Sequence, residues 1–170
     1  TLARGESSRR EWQSTDVREL VERAVASMQR GARIETFFEG DLVLDAQPVA
    51  LERAIANLIL NAVSYTAEGT SVDVRASGGA SEVVIEVADR GPGISADDRE
   101  RIFEPFVRLA HGRKSSPEGS GLGLAIVAQA ARNHGGDIRV ADRDGGGAVF
   151  RLRVPRRVTI TTSSRPPSPA

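Results

Sequence analysis

The sequence predicts an α+β fold, a two-layer α/β sandwich in which a mixed, mostly antiparallel sheet carries its helices on one face. Three observations predict it. Elements follow one another in the order helix, hairpin, helix, hairpin, helix, hairpin. The strict strand–helix alternation of a parallel sheet is missing. The chain has 170 residues, 39% of them hydrophobic, enough for about one domain with a real core.

Each element has its own signal. Residues 1–14 are polar and arginine-rich, begin without an initiator methionine, and read as a linker at the cut end of something longer. Asp16 followed by Glu19 forms a capping box, and Val17, Leu20, Val21, Ala24, Val25 and Met28 keep helical spacing until Gly31. Residues 34–38 and 42–44 are short β-like runs around Glu39-Gly40-Asp41, which predicts a hairpin. Asp45 is expected to cap a second helix, with Pro48 in its first turn. Leu51, Ala54, Ile55, Leu58, Ile59 and Ala62 form its apolar face, and it ends near Gly69.

Residues 71–76 and 82–88 alternate and flank Ser77-Gly78-Gly79-Ala80, a second hairpin. A short helix over 96–102 precedes a loop from about 107 to 120, and a loop of that length inside a compact domain points to function or motion. Residues 122–133 form the third helix, ended by Gly135-Gly136. Residues 137–141 and 148–154 make the last hairpin, around DRDGGG. Residues 155–170 are rich in proline, serine and threonine and read as a disordered tail, which leaves 15–154 as the folded domain.

Composition excludes several function classes. The net charge is zero with 27% charged residues, so no basic field invites nucleic acid. The absence of cysteine removes disulfides, thiolate catalysis and cysteine-based zinc sites. Two histidines, His111 and His134, are too few for a histidine-rich metal site. No stretch approaches the roughly 18 apolar residues that span a bilayer.

Four stretches carry chemistry. In the second helix Asn57 and Asn61 stand four residues apart on one face, with Ser64 and Tyr65 one turn on. Asparagine is a poor helix former, so the pair needs a reason; it either faces water or caps a neighbouring loop, or Asn61 offers its amide oxygen to Mg²⁺. Asp89-Arg90-Gly91-Pro92-Gly93 follows a strand and reads as a surface turn or as a carboxylate that accepts the amine of adenine, under a backbone that closes over the base. Such a carboxylate would reject guanine, whose keto oxygen sets acceptor against acceptor.

In RIFEPFVR, Phe103 and Phe106 belong to a chain only 4% aromatic and read as core packing, while Arg108 at the mouth of the long loop can reach a terminal phosphate. GSGLGLAIV has glycines at 119, 121 and 123, a spacing that fits neither the dinucleotide fingerprint nor a P-loop. As a loop entering a helix it can still present free N–H groups to phosphates.

In this order the four stretches resemble the N, G1, F and G2 boxes of the catalytic ATP-binding domain of sensor histidine kinases, within the wider group that shares the Bergerat ATP fold. The resemblance covers 15–154, including NLILNAVSYT, DRGPGIS, RIFEPFVR, GSGLGLAIV and the closing HGG. It implies ATP and Mg²⁺ as cofactors, with Asn61 on the metal, Asn57 supporting the metal and phosphate site, and Tyr65 near the adenine. Asp89 would bind the adenine amine, with Gly91, Gly93 and Ile94 lining the base and Phe103 beside the site.

Residues 107–120 would form an ATP lid hinged by Gly119, Gly121 and Gly123. Arg108 and Lys114 would approach the phosphates, and Leu122 would open the helix below them. One departure is Ser64, where many members of the family carry lysine.

The phosphate acceptor would be a histidine of a separate dimerisation domain; residues 2–6 resemble the end of that domain's second helix, and neither His111 nor His134 matches the acceptor motif. A response regulator would be the downstream partner. The whole protein would be a membrane-anchored homodimer with this domain on the cytoplasmic face. ATP-hydrolysing relatives use a glutamate where Asn57 stands, and an amide cannot act as a base. A serine kinase of the anti-sigma-factor type and a catalytically inactive nucleotide- or partner-binding module stay open as alternatives.

Overall fold

The computed structural model describes residues 11–28, 32–109 and 121–157. Along them run β1 (Gln13–Asp16), α1 (Val17–Ala26), β2 (Arg33–Glu39), β3 (Val43–Ala46), α2 (Pro48–Tyr65), β4 (Ser71–Gly78) and β5 (Glu82–Ala88). Two 3₁₀ turns follow, Ala96–Asp98 and Arg101–Phe103, then α3 (Gly123–Asn133), β6 (Asp137–Asp142) and β7 (Ala148–Pro155). Five strands form one sheet in the order β2-β4-β5-β7-β6, and β1 pairs with β3 in a separate ribbon.

The main sheet is mixed because β2 runs parallel to β4, with α2 in the crossover, while β4, β5, β7 and β6 pair antiparallel. Alternation along the strands sets which face is dry. Val72, Val74 and Ala76, then Val83, Ile85 and Val87, then Phe150, Leu152 and Val154 are buried. Against them lie Leu51, Ile55, Leu58 and Ile59 of α2, flanked by Val17, Leu20 and Val21 of α1 and Val127 and Ala131 of α3, in one core. Each such aliphatic or aromatic side chain, fully buried, contributes roughly 1.5–3 kcal/mol.

The opposite face is polar: Arg75 stands across from Glu86, and Glu86 across from Arg151, to which it is bonded at 2.6 Å. One dry and one wet face is the expected state of a largely antiparallel sheet. The α+β, one-face arrangement expected from the sequence is therefore found.

Several local expectations are corrected. Residues 34–38 and 42–44 do not make a hairpin: β2 joins β4 and β3 joins β1. Asp45 lies in β3, and Gln47 is the N-cap of α2, as Pro48 at the first helical position requires. The cap of α1 is Asp16, as expected, and its carboxylate accepts the Arg18 N–H at 2.9 Å. That helix ends at Ala26, before Gly31, which lies outside the described residues, and α2 ends at Tyr65 rather than near Gly69. The short helix at 96–102 is two 3₁₀ turns. Residues 13 and 14, read as linker, are in β1.

His134, at the C-cap of α3, is 3% exposed and stitches three segments together. Its Nε2 accepts the Gln47 N–H at 3.1 Å, so Nδ1 carries the proton and donates to the Ala130 carbonyl at 2.7 Å. Trp12 meets its ring edge-on at 5.0 Å, and Arg157 stacks over Trp12 at 3.8 Å. Burial holds the imidazole pKa below 6.5, and the nearby Arg157 charge pushes the same way.

A His with a depressed folded pKa binds its proton more readily when unfolded, so its contribution is full above 6.5 and is lost as pH falls toward the folded value. The expected result is a Tm that drops as pH is lowered below 6.5. In His134→Gln the drop over the same window is smaller, measured by thermal melts at pH 5 to 8.

Candidate functional site

The site is built at the end of β5. Asp89 is the first residue past that strand, 3% exposed, and its Oδ1 accepts two backbone N–H groups, from Gly91 at 2.9 Å and from Ala148 at 3.1 Å. Among the described residues both bonds land on Oδ1, which leaves Oδ2 to accept a donor from a ligand. Burial raises the carboxyl pKa above 3.8, opposed by those two bonds and by the charge of Arg143.

Gly91 sits against the end of α2: a Cβ there would lie 2.7 Å from the Tyr65 carbonyl oxygen and 3.2 Å from Asp89 Oδ1. Tyr65, 39% exposed, is thus beside Asp89, and Thr66 Oγ accepts the Arg90 N–H at 3.2 Å, tying helix end to strand end. Gly93 faces Gly147 of the β6–β7 turn, and Ile94 packs on the core.

Helix α2 links this end to the other. From Tyr65 back to Asn57 is roughly 12 Å, eight residues at 1.5 Å each, a length an extended nucleotide can bridge. Asn57 donates to the Arg53 carbonyl at 2.9 Å, and its Oδ1 faces Gly123, the first residue of α3, where a Cβ would stand 3.2 Å away. The side chain of Asn61, half-buried between them, makes no hydrogen bond among the described residues.

Ser64 bonds back to the Leu60 carbonyl at 2.8 Å, so its hydroxyl is engaged within the helix. The N-terminus of α3, opened by Leu122, has no side-chain cap among the described residues, an arrangement that suits an anion. No group of three His, Cys, Asp or Glu side chains among the described residues could hold a metal. A cation here would rely on a neutral oxygen such as that of Asn61 and on phosphate oxygens, a donor set that suits Mg²⁺.

The base of the long loop is zipped shut. Phe106 N–H donates to the Gly121 carbonyl at 3.0 Å, and both residues are left-handed, Phe106 at φ 65° and Gly121 at φ 71°. Phe106 is 73% exposed, so it is not the core residue that composition suggested. Phe103, partly buried, packs on the core and meets buried Phe150 edge-on at 6.2 Å.

Arg108 is exposed at the mouth of the loop, while Lys114 and Gly119 lie outside the described residues. Sequence reasoning misses Ala148, Arg143 and Thr66, which hold Asp89 and its strand end; DRDGGG announces a turn but not its target. A hollow of about 350 Å³ on the wet sheet face, lined by Asp73, Arg75, Glu86, Arg143 and Arg151 among others, is occupied by paired opposite charges and gathers none of the four motifs.

A one-faced mixed sheet with a buried strand-end aspartate, an asparagine-bearing helix and a looped helix N-terminus defines a nucleotide-binding ATPase-type domain. The model of the histidine kinase-, DNA gyrase B- and HSP90-like ATPases matches residues 46–158, and the chain belongs to that family.

It is 45% identical over 105 residues to the sensor-like histidine kinase SenX3 of Mycolicibacterium smegmatis, covering 62% of this chain and 27% of SenX3. The solved structure of the mycobacterial sensor histidine kinase MprB superposes with a TM-score of 0.75 at 29% identity, covering 87% of this chain and all of that one. Full-length ShkA in complex with AMPPNP gives 0.72 at 30% identity, over 88% of this chain and 32% of ShkA. The chain spans about a third or less of the length of the curated relatives it matches.

Proposed function

We propose that residues 13–155, from β1 to the end of β7, are the ATP-binding catalytic domain of a sensor histidine kinase, with the residues before them the link to a dimerisation domain and those after them a tail. The observation that carries the reading is Asp89, buried at a strand end and set by two N–H groups on Oδ1 beside Gly91 and Tyr65. Its Oδ2 accepts the exocyclic amine of adenine. Asn57 and Asn61 hold the phosphate end, next to the uncapped N-terminus of α3. When bound, Mg²⁺ neutralises charge on the phosphate oxygens, with Asn61 as its protein ligand.

Phosphoryl transfer is mostly positioning and charge neutralisation, and Arg108 with the 107–120 lid supplies both around the γ-phosphate. The acceptor is a histidine nitrogen of the dimerisation domain, which attacks the γ-phosphorus as the bond to ADP breaks. A response regulator then receives the phosphoryl group. The whole protein is a membrane-anchored homodimer, with this domain on the cytoplasmic face. Hydrolysis is disfavoured because Asn57, in the place of a general base, is an amide bonded to Arg53.

The test is calorimetric titration with ATP and Mg²⁺, followed by mixing with a dimerisation domain and assay of acid-labile phosphohistidine. Asn61→Ala is expected to weaken Mg²⁺-dependent binding about tenfold, near 1.4 kcal/mol, and to leave metal-free binding unchanged. No binding at millimolar ATP would overturn the proposal.

A further inference from the structure

Asp89 is the first residue beyond both strand ladders that support β5. The β4 pairing ends at Asp73↔Ala88 and the β7 pairing at Ala88↔Val149. Past the last paired residue Asp89 keeps one backbone bond to β7 and no pairing with β4, and a strand end held so thinly should fray. Here it is gripped from the β6–β7 turn, more than fifty residues away in sequence.

Four hydrogen bonds make the grip. Ala148 N–H binds the Asp89 side chain, and Asp89 N–H donates to the Ala148 carbonyl at 2.9 Å. From beneath, Arg143 Nη1 donates to the carbonyls of Ala88 at 3.3 Å and Asp89 at 3.4 Å. Its Nη2 donates to the carboxylate of Asp73 on β4, and its side chain is only 13% exposed. The turn is itself fixed by the Arg143 N–H to Gly147 carbonyl bond at 3.0 Å. Gly147, at φ 107°, lies so close that a Cβ would stand 2.1 Å from the Asp89 carbonyl oxygen.

We propose that Arg143, braced by Asp73, is a positioning residue for adenine recognition: its guanidinium stands in for the missing ladder partners and aims the Asp89 carboxylate at the purine. A planar fork serves two carbonyls and a carboxylate together, which a lysine cannot do. The proposal rests on the reading of Asp89 as the adenine-binding group.

The experiment measures the Kd of ADP and of IDP, whose hypoxanthine carries a keto oxygen in place of the amine, on the whole chain with Mg²⁺. Wild type and Asp89→Asn test the site: wild type prefers ADP, and Asp89→Asn loses that preference. Arg143→Ala, Arg143→Lys and the isosteric Asp73→Asn test the inference.

The expected result is a fall of about tenfold in ADP affinity with IDP affinity within twofold of wild type, so that selectivity collapses. Placed on Asp89→Asn, the same changes should have no further effect on the ratio. If ADP and IDP weaken equally, or the ratio stays at its wild-type value, Arg143 is structural only and the inference falls while the site reading stands. If Arg143→Ala does not fold, Asp73→Asn and Arg143→Lys separate the same two outcomes by the same ratio. A wild type that binds neither nucleotide, or binds both alike, overturns the site reading and the inference with it.

Discussion

Asp89→Asn should remove adenine-nucleotide binding while leaving the fold at least as stable as the wild type. Asparagine keeps an oxygen at the Oδ1 position, so the Gly91 and Ala148 N–H bonds survive. It puts an NH₂ where Oδ2 stood, and that donor would face the donor amine of adenine. A buried donor set against a donor costs about 2–3 kcal/mol, roughly 30- to 150-fold in Kd, which calorimetry with ADP would read.

Stability moves the other way. Burial raises the Asp89 pKa above 3.8, so the folded protein holds that proton more tightly than the unfolded chain. Between 3.8 and the raised value, stability falls as pH rises, and above it the full cost of the buried charge is present. The Tm of Asp89→Asn relative to wild type should therefore increase from about pH 4 upward and level off once the pH exceeds the raised value. A Tm difference that shrinks with rising pH, or nucleotide binding that survives, would count against the assignment.

The second large effect is expected at Gly121. Its φ of 71° costs an L-residue about 1 kcal/mol, and a Cβ there would lie 2.9 Å from Phe106 Cα and 3.0 Å from its carbonyl carbon. Those are backbone atoms of a residue already left-handed and bonded to the Gly121 carbonyl, so neither side can swing away. Gly121→Ala should cost about 2–3 kcal/mol at the base of the 107–120 segment.

Because Gly121 lies outside the buried core, the loss should appear in nucleotide affinity, roughly 30- to 150-fold, with a Tm shift of a few degrees at most. Limited proteolysis should find faster cleavage within 107–120. Unchanged ATP binding would reduce the glycine to a corner between two elements. Gly123→Ala is the milder companion, since the atom it meets at 3.2 Å is Oδ1 of Asn57, the end of a side chain that can turn.

Most of the helices and the two later hairpins are legible in the sequence because their signals are local. The apolar positions of α2 repeat at helical spacing, and β4–β5 and β6–β7 alternate across glycine turns. The first hairpin misleads because its turn and its runs look right within twelve residues. The pairing is instead won by β4, which offers β2 a full seven-residue parallel register. Phe106 shows the same limit: its type suggests burial, while the left-handed closure with Gly121 turns it outward.

By itself the sequence determined the chemical kinds present: two amides one turn apart, a carboxylate after a strand, glycines before an apolar helix, and no cysteine or basic field. Residue type and short spacing carry that information, since helical and strand periodicities fix which side chains share a face.

Only the tertiary structure decided what aims the carboxylate. Ala148 and Arg143 reach Asp89 from 59 and 54 positions away, and no local pattern encodes a contact closed by sheet pairing. Partners chosen at that separation depend on which strands stack side by side, and that is settled by burying one face of the whole sheet at once.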